Sequence, residues 1–123
     1  IRLAGLYNNY ALALCDNNDY ESALTLYNKA IKINDYHKEE KLNLAITHLN
    51  IADLYHAMYG ESAEEKIENE LNTAEELLDS NDVLHDSYYA FVCEKCADTF
   101  DFYGRFYYKN ELLKRKKENG IVE

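Results

Sequence analysis

The sequence predicts an all-α fold of three stacked antiparallel helix hairpins, six helices in a single array. Three observations carry that reading. A small residue recurs behind a bulky one, with an apolar or aromatic residue three places on: Tyr10-Ala11 with Leu14, Ile51-Ala52 with Tyr55, Cys96-Ala97 with Phe100. The 123 residues include 12 tyrosines and no proline, so nothing interrupts a helix and packing surface is plentiful. Turn-forming clusters fall between the apolar stretches at Asp16-Asn17-Asn18, Gly60, Ser80-Asn81-Asp82, Gly104 and Gly120. Self-similarity at a fixed period is the mark of stacked helical hairpins.

Each helix follows from period-3.6 patterning and its punctuation. The first runs from near the start to about Cys15, with Asn18 placed to cap the second. The second, about Tyr20 to Ile33, aligns Tyr20, Ala23, Leu24, Tyr27, Ala30 and Ile31, and Asn34-Asp35 closes it. The third, about Lys38 to Tyr59, points Ala45, His48, Ile51, Ala52, Tyr55 and Met58 inward. After Gly60, Ser62 and Glu65 have capping-box spacing for a fourth helix, about Ala63 to Leu78, carrying Ile67, Leu71, Ala74 and Leu78. The fifth, about Val83 to Tyr103, sets Tyr89, Val92, Cys93, Cys96, Ala97, Phe100 and Tyr103 at heptad-like spacing. The sixth, about Phe106 to Asn119, ends in lysines that suit the helix dipole and in Gly120, placed for a left-handed cap. The repeat units are 4–37, 38–81 and 82–120, with no linker between them.

Charge and cysteine usage narrow the function classes. A net charge of -10 opposes contact with nucleic-acid phosphates or anionic membranes, which need clustered Lys and Arg. Glu61 to Asp79 holds eight acids against Lys66 alone, whereas Lys109, Lys114, Arg115, Lys116 and Lys117 gather near the end; both read as solvated helix faces. Three cysteines without a regular framework fit a reducing, cytoplasmic setting. No stretch reaches the roughly 20 apolar residues of a membrane span. The chain opens on Ile1 inside an apolar-periodic run and reads as part of a longer protein.

Residues 18–31, Asn18-Asp19-Tyr20-Glu21-Ser22-Ala23-Leu24-Thr25-Leu26-Tyr27-Asn28-Lys29-Ala30-Ile31, resemble the second helix of a tetratricopeptide repeat, and Ala11 matches the small residue of that repeat's first helix. The resemblance implies an α-solenoid in which alanines let paired helices approach closely while the aromatic wedges against the neighbouring hairpin. Ala11, Ala52 and Ala97 stand 41 and 45 residues apart, beyond the standard period of about 34, so the units resemble long-repeat variants. The usual proline after the second helix is missing, with Asp35 nearest its place. Ile67 stands where the first unit has Ala23, and Lys109 and Lys116 stand where it has Ala23 and Ala30. A lysine in a tight seam must snorkel, so the sixth helix reads as a terminal cap with a polar face.

Candidate chemistry is sparse. Cys93-x-x-Cys96 has metal or redox spacing but lies mid-helix on the core stripe, at the places of His48/Ile51 and Tyr7/Tyr10 in the other units, where packing explains it. One His and two Cys fall short of a closed zinc site. No Ser-His-Asp order, HExxH, phosphate loop or EF-hand is present, so no catalytic, cofactor or metal residue is assigned. In stacked hairpins the first helices line the concave face. By this register that face carries Asn8, Leu12, Cys15 and Asp16, then Leu49, Asp53 and His56, then Glu94, Asp98, Asp101 and Phe102. The resemblance raises the subclass that clamps carboxylates with Lys and Asn, but those bases are absent here. Five acids and no base suit a basic-apolar peptide or helix. The expectation is a non-enzymatic protein- or peptide-binding scaffold, with homo-oligomer contacts through the array ends. Two alternatives stay open: a peptide-sensing regulatory segment of a larger signalling or transcription-regulating protein, and a metal- or redox-responsive element on Cys93, Cys96 and His48.

Overall fold

A computed structural model describes residues 3–34 and 40–120. Among them lie six α-helices: α1 Leu3–Asp16, α2 Tyr20–Asn34, α3 Lys41–Tyr59, α4 Glu64–Leu78, α5 Ser87–Phe102 and α6 Phe106–Asn119. α1 packs on α2, α3 on α4 and α5 on α6, which makes the three expected hairpins. The chain divides into two compact units, Ile1–Asn81 and Asp82–Glu123, at the boundary the sequence places between its second and third repeats. The first unit holds two hairpins, joined where α2 packs against α3 and where α1 also touches α3. The second holds the third hairpin.

Helix ends depart from the sequence reading in instructive ways. Asn18 does not cap α2. It adopts a left-handed φ of 63°, and the following Asp19 amide donates back to the Leu14 carbonyl at 2.8 Å, closing α1. Asp19 instead offers its carboxylate to the Ser22 amide at the start of α2 (3.4 Å). The expected stop at Asp35 and start at Lys38 lie outside the described residues.

Gly60 reverses the chain at φ 58°, where a side chain would be strained, and a 3-10 turn over Gly60–Ala63 leads into α4. That turn displaces the predicted capping box: the Ser62 hydroxyl donates back to the Tyr59 carbonyl at 2.7 Å. α5 begins at Ser87 rather than Val83. Asp86, extended, accepts from the Tyr89 amide at 3.0 Å and so fixes the later start. Gly120 is extended, not left-handed. Its glycine is needed for space, since a Cβ there would meet the Lys116 carbonyl oxygen at 2.9 Å and the Ala90 Cβ at 3.9 Å.

The alanine seams are as the sequence places them. Ala11, Ala23, Ala30, Ala52, Ala74 and Ala97 are all buried. In the first unit Ala11, Ala23, Tyr27, Ile51 and Leu54 form one cluster, so the α2 aromatic packs among residues of α1 and α3. Ile67, at the position of Ala23, is buried on α4 beside Leu71 and Leu78. The sixth helix departs from the register. Its buried residue is Leu112, flanked by half-buried Tyr108, Arg115 and Asn119. Tyr108 meets Phe100 edge-on at 4.8 Å, and Arg115 lies over the Tyr108 ring at 5.6 Å. Lys109 and Lys116 therefore flank the seam instead of filling it.

Ala11→Leu and Ala52→Leu should each overpack a closed seam, lowering stability by about 1–3 kcal/mol in thermal melts followed by circular dichroism. Melts matching the parent would mean the seams have room that the structure does not show.

Candidate functional site

The face with most to offer a ligand lies in the first unit, where α1 and α3 run beside each other. A buried hydrogen bond ties them: the Asn8 amide donates to Thr47 Oγ1 at 2.8 Å, and that hydroxyl donates to the Asn43 carbonyl at 3.0 Å. Burying two polar side chains is tolerable only when they satisfy one another, so this pair fixes how α1 sits on α3. Asn8 belongs to the interhelix contact and not to the open face. Leu49 is likewise buried, at 3 % exposure, and cannot line a groove. The assigned register was rotated at both residues: apolar and small side chains surround α3 so evenly that periodicity did not mark its wet side.

Exposure marks it. One outward row of α1 holds Asn9, Leu12 and Asp16; one of α3 holds Asp53 and Ala57, with half-buried Ile46 and Asn50 in the same row. Both rows step by one helical turn from residue to residue. Leu12, Asp16, Asp53 and His56 are exposed, as the sequence reading has them. Asn9, Ile46 and Asn50 were missed. A signal existed: Asn9 and Asn50 are 41 residues apart, the same interval as Ala11 and Ala52.

Beneath the α1 end of this face sits Tyr27, fully buried, with the Cys15 thiol as the neighbour of its hydroxyl. Burial pushes that hydroxyl well above its ordinary range, and Cys15, Asp53 and Asp16 push it further. The half-buried Cys15 thiol is raised by burial too; its hydrogen bond with Tyr27 opposes that rise, and Asp16 and Asp53 add to it. Two carboxylates from different helices thus act on the same thiol and phenol.

The second unit treats its predicted residues differently. Glu94 pairs with Lys116 at 2.6 Å and Asp101 with Lys109 at 3.3 Å, so two of the five acids meet bases of α6. The reading of a face with no base fails there, because flanking lysines reach across to α5. Asp98 and Phe102 remain exposed, and Phe102 stacks edge-on with Tyr103 at 5.0 Å.

Tetratricopeptide repeats are built of such hairpins, and their family model matches residues 2–67, more than half of the chain. The chain belongs to the tetratricopeptide repeat family. The matched span takes in α1, α2, α3 and the first turn of α4, so the α1–α3 face lies within it. Tetratricopeptide repeats generally mediate protein–protein interactions. No curated protein and no solved structure matches the chain.

Other polar clusters have structural employment. His48 Nδ1 lies 2.7 Å from Glu70 Oε1, joining α3 to α4. Arg115 donates to Glu111 at 2.7 Å and to the buried Tyr89 hydroxyl at 3.0 Å, joining α6 to α5. Cys93 and Cys96 are buried, and burial pushes the Cys93 thiol up and the Cys96 thiol to about 12. Among the described residues no three His, Cys, Asp or Glu converge as a metal site, and no helix is long and apolar enough to cross a membrane.

Thiolate is the reacting form, so native Cys93 and Cys96 should label slowly even at pH 9, with Cys15 reacting first and all three becoming fast in denaturant. Because Cys96 ionises near 9.0 when unfolded but near about 12 when folded, stability should fall as pH rises through that interval. Fast native labelling of both Cys93 and Cys96 would contradict their burial.

Proposed function

We propose that this chain is a non-enzymatic protein-binding module whose α1–α3 face receives a basic-apolar peptide or helix. One observation carries the reading: exposed Asp16 and Asp53, on different helices, both bear electrostatically on Cys15 and Tyr27, on a face that also presents exposed Leu12 and half-buried Ile46. Two neighbouring carboxylates repel an acidic partner and draw a basic one, and the aliphatic side chains give an apolar anchor. The exposed amides of Asn9 and half-buried Asn50 can donate to and accept from an extended backbone. Asp98 has the repeat position of Asp53 and gives the first helix of the second unit an exposed carboxylate of its own.

A peptide array probed with the parent and with Asp16→Asn/Asp53→Asn tests the reading. The parent should enrich basic-apolar sequences, with binding that weakens as salt rises. The double variant should lose most of that enrichment while its thermal stability changes by no more than about 0.5 kcal/mol, as exposed substitutions usually do. Enrichment of acidic peptides, or identical profiles for both proteins, would place the working surface elsewhere.

A further inference from the structure

Three aromatic rings stand exposed on α5: Tyr88 at 45 %, Phe91 at 59 % and Phe102 at 65 %. Single exposed rings need no explanation, but these share one row with exposed Lys95 and Asp98. The row advances through positions 88, 91, 95, 98 and 102, in alternating steps of three and four residues, the heptad interval at which one helix receives another. It lies across the helix from buried Cys93, Cys96 and Phe100, so it is the outer side of α5 and not the edge of its seam. Helical rise puts its ends about 21 Å apart. Tyr88 stacks on Phe91 at 6.2 Å, and Phe102 rests edge-on against Tyr103 at 5.0 Å.

The charges along the row are ordered as well as the rings. Glu94 and Asp101 flank it on one side and are paired with Lys116 and Lys109 of α6. Lys95 and Asp98 form no salt bridge among the described residues, and they occupy adjacent layers between Phe91 and Phe102. The order aromatic, base, acid, aromatic is its own complement when reversed. We propose that this row pairs with the same row of a second copy of the chain, running antiparallel about a two-fold axis. Lys95 then meets the partner's Asp98, and Phe91 meets the partner's Phe102. Both contacts are centred between Cys96 and Ala97, so one axis serves them and symmetry repeats each.

Other occupants satisfy the row less well. A parallel copy sets Lys95 against Lys95 and Asp98 against Asp98, and like charges in one layer oppose that alignment. A uniformly basic or acidic segment gains one ion pair here and meets one repulsion, whereas a reversed second copy answers both charges. The rings supply the attraction, and the charged layers fix the register at some cost in affinity. A contact carried by one helix row falls at the small end of specific interfaces, so the dimer is weak and reversible. The row belongs to the second unit and does not rest on the α1–α3 reading.

Analytical ultracentrifugation of the whole chain tests the pairing. The parent should be monomeric near about 1 µM and pass to dimer, with no larger species, toward about 1 mM. Lys95→Glu alone and Asp98→Lys alone each place like charges in both middle layers, so each should weaken self-association by about tenfold or more. Mixing those two variants returns opposite charges to both layers and should restore a heterodimer. Lys95→Glu/Asp98→Lys on one chain should dimerise as the parent does, and Phe91→Ala should weaken the dimer with the charges intact. Asp16→Asn/Asp53→Asn, off this row, should leave dimerisation unchanged. All of these replace exposed side chains, so circular-dichroism melts should match the parent, and the mixture shows that both charge variants are folded. A parent still monomeric near about 1 mM, single charge variants that dimerise as well as the parent, or a mixture that stays monomeric would overturn the pairing.

Discussion

Close approach of helices across alanine seams is the constraint on which the rest of this structure depends. A methyl side chain is the largest that fits where Ala11, Ala23, Ala30 and Ala52 sit, each with no exposure to solvent. Because the seams are closed, the bulky residues between them are forced into fixed places. Tyr27 has nowhere to go but into the cluster of α1 and α3 residues, and its hydroxyl must follow the ring. The Asn8–Thr47 bond adds a polar lock, since sliding α1 along α3 would strand two buried polar groups. The α1–α3 face is the outer consequence of that inner packing.

The third hairpin solves the same problem with other residues. No alanine lines the buried stripe of α6, and Tyr108, Leu112 and Arg115 take the places that small side chains fill elsewhere. Aromatic edge contact with Phe100 and the Arg115 bond to Tyr89 replace the close seam. Close approach moves to the end of the hairpin, where Gly120 passes Ala90. The lysines that the repeat register puts into the seam lie beside it and pair with Glu94 and Asp101. Such exposed pairs contribute little to stability, about 0–1 kcal/mol each, but they neutralise acids that would otherwise be offered to a ligand.

Several polar side chains hold one helix to another. His48 with Glu70, Arg115 with Glu111 and Tyr89, and Asn8 with Thr47 all bridge one helix to another. Asp16 and Asp53 stand exposed on the first helices of their hairpins, where their charge bears on Cys15 and Tyr27.

The sequence by itself determined the all-α class, the three hairpins, the seam alanines, the buried cysteines and the family, because these depend on periodicity, side-chain size and turn chemistry along a local stretch. It also picked out Leu12, Asp16 and Asp53 as outward residues. Tertiary structure decided the rest. Which side of α3 stays wet depends on neighbours distant in sequence, so periodicity put buried Leu49 on the face and passed over Ile46 and Asn50. The start of α5 turned on one carboxylate, Asp86, meeting one amide. The Tyr27 ring was legible as a wedge from its spacing. That its hydroxyl would sit beside the Cys15 thiol, within the fields of Asp16 and Asp53, was not, because the surroundings of a polar atom are a property of three-dimensional neighbours that no one-dimensional pattern encodes.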